Sequence, residues 1–257
     1  MSIAGDTKQR DDLGLAAGLN ALGLRCKDAA KYDEARALYR RALSLLEGEA
    51  DRHQDSIATL YHNLGGIEHA RGNYAAGEVL ARRGLAIRTS LAGADPRDLA
   101  ADMVALAAIL DGQEKYAEAE HLYLEALRVW ERAPGANAGE IAVALNDLGA
   151  QYAQRGRLER AADLLQRAAA LKKRTLGAGH PDVAVTLNNL AMLCKRRGDF
   201  AGAAALYAEA VEIFERSLGA DHPKAVTCRA NATRWAAAAR EALSGACARG
   251  AASPQPG

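Results

Sequence analysis

Aromatic residues are scarce in this chain: 5% of its 257 positions, with two Phe and two Trp. Proline (six) and cysteine (four) are also few, while Ala and Leu dominate. That composition favours helices over sheets. No charge of one sign prevails. Lys and Arg number 33 against 32 Asp and Glu, a formal net charge of +1, so no global field draws the chain to nucleic acid or to a membrane surface. No apolar run approaches the ~20 residues of a membrane span. The opening segment "MSIAGDTKQRDDLG" lacks the apolar core of a secretory signal. Cys26, Cys194, Cys228 and Cys247 show no CxxC spacing and read as free thiols, which points to a reducing cytoplasm. With 49% hydrophobic residues, the chain is too apolar for a disordered one.

What the sequence does have is repetition. Blocks starting at Leu15, Ile57, Leu99, Ile141 and Val183 align without gaps at a spacing of 42, and a sixth, from Ala225, has room for one helix. Each block carries a Leu followed by Gly or Ala: Leu22-Gly23, Leu64-Gly65, Leu106-Ala107, Leu148-Gly149 and Leu190-Ala191. A large apolar residue follows (Tyr32, Tyr74, Tyr116, Leu158, Phe200), then small residues at Ala35, Gly77, Ala119, Ala161 and Ala203. The next large position reads Tyr39, Ala81, Tyr123, Leu165, Tyr207, and the next small one Ala42, Gly84, Ala126, Ala168, Ala210. Apolar residues three and four apart line one helix face. Small residues within that stripe let a neighbouring helix approach. A glycine-bearing break such as "RRGD" before Phe200 ends the first helix of the pair. Each block is therefore helix A, tight turn, helix B. One such hairpin cannot bury its own apolar face, but a stack can.

These motifs, above all "TLNNLAMLCKRRGDFAGAAALYAEAVEIFERSLGADHP" (Thr186 to Pro223) and its copies, resemble the tetratricopeptide repeat, and more narrowly the 42-residue variety of kinesin light chains and many bacterial proteins. The resemblance implies an all-α fold: a right-handed α-solenoid of five helix-turn-helix repeats with a C-terminal capping helix. The expected organisation is a flexible N-terminus at 1–12 and a solenoid over 13–246. Its repeats lie near 15–56, 57–98, 99–140, 141–182 and 183–224, with a capping helix at 225–246 and a disordered tail at 247–257. The second block departs from the pattern with Gly77, Ala81 and Gly84. The third replaces the usual Leu-Gly-x-x-His-Pro corner with "ERAPGANAGE".

The chemically suggestive residues mostly have a structural reading. His180-Pro181-Asp182 and His222-Pro223 fall where one helix B ends and the next helix A begins. There Pro suits the first helical turn and an acid faces the positive helix end. His62 and His69, seven apart on one helix, lie roughly 10 Å apart in rise, and His121 has no visible partner, so no metal site is expected. No G-x-S-x-G, phosphate loop or His-Glu-x-x-His is present, so neither catalysis nor a cofactor is expected. Cys26 and Cys194 share one helix A position and read as small buried hydrophobes. The basic runs Lys172-Lys173-Arg174 and Lys195-Arg196-Arg197 end helices, where cations are favoured. Residues 99–140 carry net −5 and residues 141–182 net +3, which reads as attraction between neighbouring blocks. Trp130 and Trp235 read as packing residues.

One polar series remains. Helix A carries Asn20, His62 and Asn63, Asn146 and Asp147, Asn188 and Asn189, and Asn231 just before its Leu-Gly/Ala step or the equivalent place. Asn is a mediocre helix former. Such a series either bonds to the next hairpin or forms a ladder of amides, donor and acceptor, for an extended peptide backbone. By the resemblance, helices A line a concave face that binds peptides. The function expected is then a non-catalytic scaffold or adaptor holding a protein or peptide partner, with no nucleic acid and no membrane. The alternative is a regulatory sensor that binds a small ligand or signalling peptide.

Overall fold

Among the described residues, six A helices and five B helices follow from two recurring turns. The computed structural model describes the backbone of residues 3–133 and 138–250 and the side chains of 12–133 and 138–244; Cys247 and the tail from 251 lie outside the described side chains. At the A-to-B turn the chain enters the left-handed region once per repeat, at Ala30, Gly72, Glu114, Gly156 and Gly198. The same bond closes the helix end each time: Lys31 N to Cys26 O, Asn73 N to Glu68 O, Lys115 N to Leu110 O, Arg157 N to Tyr152 O and Asp199 N to Cys194 O. Such a closure satisfies carbonyls that the helix end leaves over. At the B-to-A turn, Gly93, Gly177 and Gly219 take positive φ.

The helices so delimited are α1 (Ile3–Asp28), α2 (Tyr32–Leu46), α3 (Gln54–Ala70), α4 (Tyr74–Ser90), α5 (Pro96–Gly112), α6 (Tyr116–Arg132), α7 (Ala138–Gln154), α8 (Leu158–Leu176), α9 (Pro181–Arg196), α10 (Phe200–Leu218) and α11 (Pro223–Gly250). A short 3-10 segment, Glu47–Arg52, joins α2 to α3. No strand occurs among the described residues. The chain divides into two compact units, 1–136 and 137–257. α1 begins ahead of position 13, and α11 continues past 246.

In the first unit α1–α2, α3–α4 and α5–α6 pack as hairpins, and α2 also packs on α3 and α4 on α5. The core holds Ala35, Tyr39 and Ala42 of α2 against Ile57, Leu60, Tyr61 and Leu64 of α3, with Leu46 fully enclosed. Gly23 is required where α1 meets α2: a Cβ there would run into the Tyr39 ring. In the second unit α7–α8 and α9–α10 are the hairpins, and α11 packs on α10. Ala225 and Cys228 of α11 are buried with Val183, Leu187, Tyr207 and Phe214, and Trp235 packs against the same cluster. α11 thus covers the last hairpin.

The His-Pro corners are helix caps. His180 Nδ1 accepts from the backbone N–H of Asp182, and His222 Nδ1 from that of Lys224, each at 3.2 Å. The second basic run holds the preceding hairpin: Arg197 donates to Leu158 O at 3.0 Å, and Arg196 donates to Ala153 O. Its Lys195 lies over the Trp235 ring, 5.0 Å from the centroid.

Candidate functional site

The polar series on the A helices splits into two uses. Asn63 and Asn189 occupy the same place, three repeats apart, and make the same bond. Asn63 Nδ2 on α3 donates to Asn20 Oδ1 on α1 at 2.8 Å. Asn189 Nδ2 on α9 donates to Asn146 Oδ1 on α7 at 3.1 Å. Asn63 and Asn146 are buried, each 6% exposed, so these two bonds clamp consecutive A helices together inside each unit. Asn146 also donates to Asp147 Oδ1 at 3.1 Å. The other residues of the series stay accessible: Asn20, His62, Asn188 and Asn231 are half-buried. Asn188 Oδ1 takes only a long bond from the Cys228 thiol, 3.5 Å, and its Nδ2 stands 3.8 Å from the Met192 sulfur.

Between consecutive A helices the surface opens at equivalent places. In the first unit a cavity of about 140 Å³ lies between α1 and α3, lined by Asn20, Leu46, Thr59 and Leu60, with Asp55 at its edge. In the second, a cavity of about 330 Å³ lies between α9 and α11, lined by Asn188, Phe214, Thr227 and Cys228. These are the same four positions, displaced by four repeats. Both openings therefore have an amide on one wall and a large apolar residue from helix B at the base.

That base position reads Leu46, Arg88, Trp130, Lys172, Phe214 along the chain. Its two cations do not stand out in the sequence, although the 42-residue register places them among bulky apolar residues. Arg88 is 3% exposed. Its Nε donates to Asp102 Oδ2 at 2.6 Å, and it reaches Asp55 Oδ1 at 2.5 Å and Thr59 Oγ1 at 3.1 Å. Asp102, also 3% exposed, has its other oxygen 2.8 Å from His62 Nδ1. His62 is thus tied into a buried charge network that joins α3, α4 and α5. Lys172, 4% exposed, bonds neutral oxygens: Thr186 Oγ1 at 3.0 Å and Asp182 O at 3.4 Å. Burial pulls its ammonium below the ordinary lysine pKa, and the carboxylates of Asp182 and Asp147 partly oppose this.

Burial pushes the Cys194 and Cys228 thiols up, away from the thiolate. Among the described residues no three His, Cys, Asp or Glu side chains stand where they would hold a metal ion, and no helix is long and apolar enough to cross a membrane.

A tandem array of helical hairpins with a side-chain cavity between its A helices defines a repeat protein of the tetratricopeptide class. The tetratricopeptide repeat model matches residues 56–132, 101–174, 140–216 and 182–243 in overlapping windows, and the chain belongs to that family. Its 42-residue spacing is kinesin light chain-like. Among solved structures, BtubC (BKLC) from P. vanneervenii is 21% identical, with a TM-score of 0.60 over 89% of this chain and 93% of that one. A putative kinesin light chain from P. anserina with nearly identical TPR-like repeats is 18% identical, with a TM-score of 0.60 over 78% and 95%. The apo quorum sensor NprR from B. thuringiensis is 14% identical, with a TM-score of 0.66; the match spans 82% of this chain and 56% of that one. No curated protein matches the sequence.

Proposed function

We propose that this chain is a non-catalytic interaction module that holds an extended segment of a protein partner along its A helices. The observation that carries this reading is the recurrence of one cavity, amide and large apolar residue included, at the same register positions of one A-helix step in each unit. An apolar base takes a side chain, and a half-exposed amide on the wall offers donor and acceptor to a peptide backbone. Two other amides have a different job. Asn63 and Asn189 are occupied by their neighbours and hold the stack.

The alternative reading is a regulatory sensor that binds a small ligand or signalling peptide. A Cβ at Gly84 would stand 3.1 Å from Ala58 O and 3.2 Å from Tyr61 Cβ, and one at Gly77 3.3 Å from Gly65 O. Those glycines bring α4 close to α3, and a sensor would use the same A-helix face as the scaffold.

The two roles of the amides separate by mutation. A partner captured on the immobilised chain and identified by mass spectrometry should bind the Asn188→Ala/Asn231→Ala variant weakly, by about 1 kcal/mol per lost bond, with an unchanged melting temperature. Asn63→Ala and Asn189→Ala should lower the melting temperature and leave the affinity of the folded protein intact. The reverse pattern would rule the reading out.

A further inference from the structure

We infer that two copies of this chain pair antiparallel through the outer face of α1, about a twofold axis at Gly18. Leu15 and Leu22 lie on that face, 46% and 48% exposed. Their register equivalents on α3, Ile57 and Leu64, are 5% and 2% exposed, enclosed in one core with Tyr39, Ala42 and Leu46 of α2. The glycines of α1 point the same way. An interior glycine weakens a helix, so it needs a reason. Gly23 has one in the Tyr39 ring, but a Cβ at Gly14 or Gly18 would meet nothing within 4 Å. Both lie bare on the outer side of α1, where their lack of a side chain serves only the close approach of another helix.

The order of residues along α1 selects a second copy as the occupant. Successive residues turn by about 100°. Helix register therefore puts Asp11, Leu15, Gly18, Leu22 and Arg25 on one stripe, with Gly14 and Ala21 at its border. About Gly18 the stripe is complementary to its own reverse. An antiparallel copy sets Leu22 over Gly14, Leu15 against Ala21 and the Asp11 position against Arg25, and the twofold makes each match twice. Large meets small, and acid meets base. Arg25 is exposed and makes no ion pair among the described residues. A parallel copy would instead place Arg25 beside Arg25 and Leu22 on Leu22. The pairing leaves the α1/α3 cavity open, because Leu13 and Asn20 line it from the other side of the helix.

Sedimentation equilibrium of the full chain over a concentration series tests the pairing. Wild type should show the mass of two chains and dissociate on dilution. Gly18→Gln has open space for its Cβ within one copy, so it should keep a cooperative melting transition and stay at the mass of one chain. Leu22→Glu, also at an exposed place, should do the same. Arg25→Asp sets like charges against each other at two symmetric places and should raise the dissociation constant roughly tenfold. Asp11→Arg alone should weaken the pair to a similar extent, and Arg25→Asp/Asp11→Arg together should restore it. A wild type at the mass of one chain throughout the series overturns the inference, as does a folded Gly18→Gln variant that still pairs. A double variant no tighter than Arg25→Asp alone overturns the antiparallel register.

Discussion

The position at the base of each inter-helix step shows how one residue changes a repeat without changing the fold. Leu46 faces Leu60 in the first step, and Arg88 faces Asp102 in the second, at the same register. Removing one member of a buried ion pair strands the other, at about 3–5 kcal/mol. Arg88→Leu should therefore lower the urea midpoint sharply. Arg88→Leu/Asp102→Leu recreates the Leu46–Leu60 pair and should recover most of the loss, a coupling that a double-mutant cycle reads directly. Additive losses would show that the pair contributes no coupling. Lys172 is the complementary case, a buried ammonium among neutral oxygens. Its pKa is lowered on folding, so folding favours the neutral form. The penalty is full at any pH below the folded pKa and fades as pH rises through that value toward the ordinary lysine range. Lys172→Met should raise the melting temperature at pH 7, and the gain should shrink at alkaline pH. Thr186 keeps its own bond to Asp182 O at 3.2 Å, so the substitution leaves no orphaned hydroxyl. A gain that does not vary with pH would contradict this account.

At the scale of the element, helix–helix distance and helix propensity pull against each other at glycine. A methyl added at Gly66 on α3 would meet only the flexible end of Lys27, at 3.6 Å, whereas one at Gly84 on α4 would meet backbone and Tyr61 Cβ within 3.2 Å. Gly66→Ala should gain roughly 0.5–1 kcal/mol from helix propensity. Gly84→Ala should lose stability, because α4 must retreat from α3. Chemical denaturation of the two variants gives opposite signs if close approach governs α4, and the same sign if propensity does. Helix type, hairpin pairing and the His-Pro caps are legible in the sequence because they depend on local spacing, repeated until it is unmistakable. The fate of the asparagines is not. Asn63 and Asn188 look alike in the sequence, yet one is enclosed and bonded to Asn20 while the other stands half-open beside a cavity. That difference follows the register: Asn63 stands directly before its Leu and Asn188 one residue earlier, about 100° round the helix, and which of those two positions turns toward the preceding A helix is fixed only when the helices pack. Arg88 and Lys172 escape notice for a simpler reason: charge suggests a surface residue, and only the register reveals a buried place.

At the scale of the whole chain, a repeat array ends wherever a helix face has no successor to cover it, and the end residues must make up for that. In the second unit α11 covers the α9–α10 hairpin. Its Ala225 and Cys228 are buried against the last hairpin, and Trp235 stacks on Phe200 with ring centroids 5.5 Å apart. Removing 223–257 would uncover the α9–α10 face that carries Val183, Leu187 and Phe214. A contiguous apolar face of that kind drives self-association. The shortened protein should therefore form higher species by multi-angle light scattering and unfold at lower temperature, in a concentration-dependent way. Trp235→Ala, which keeps α11 but removes the stack on Phe200, should lower stability while leaving the protein in the same oligomeric state as wild type. If the deletion and the point substitution behave alike, with no association in either, then α11 stabilises its neighbours only by local packing and the array needs no cap at this end.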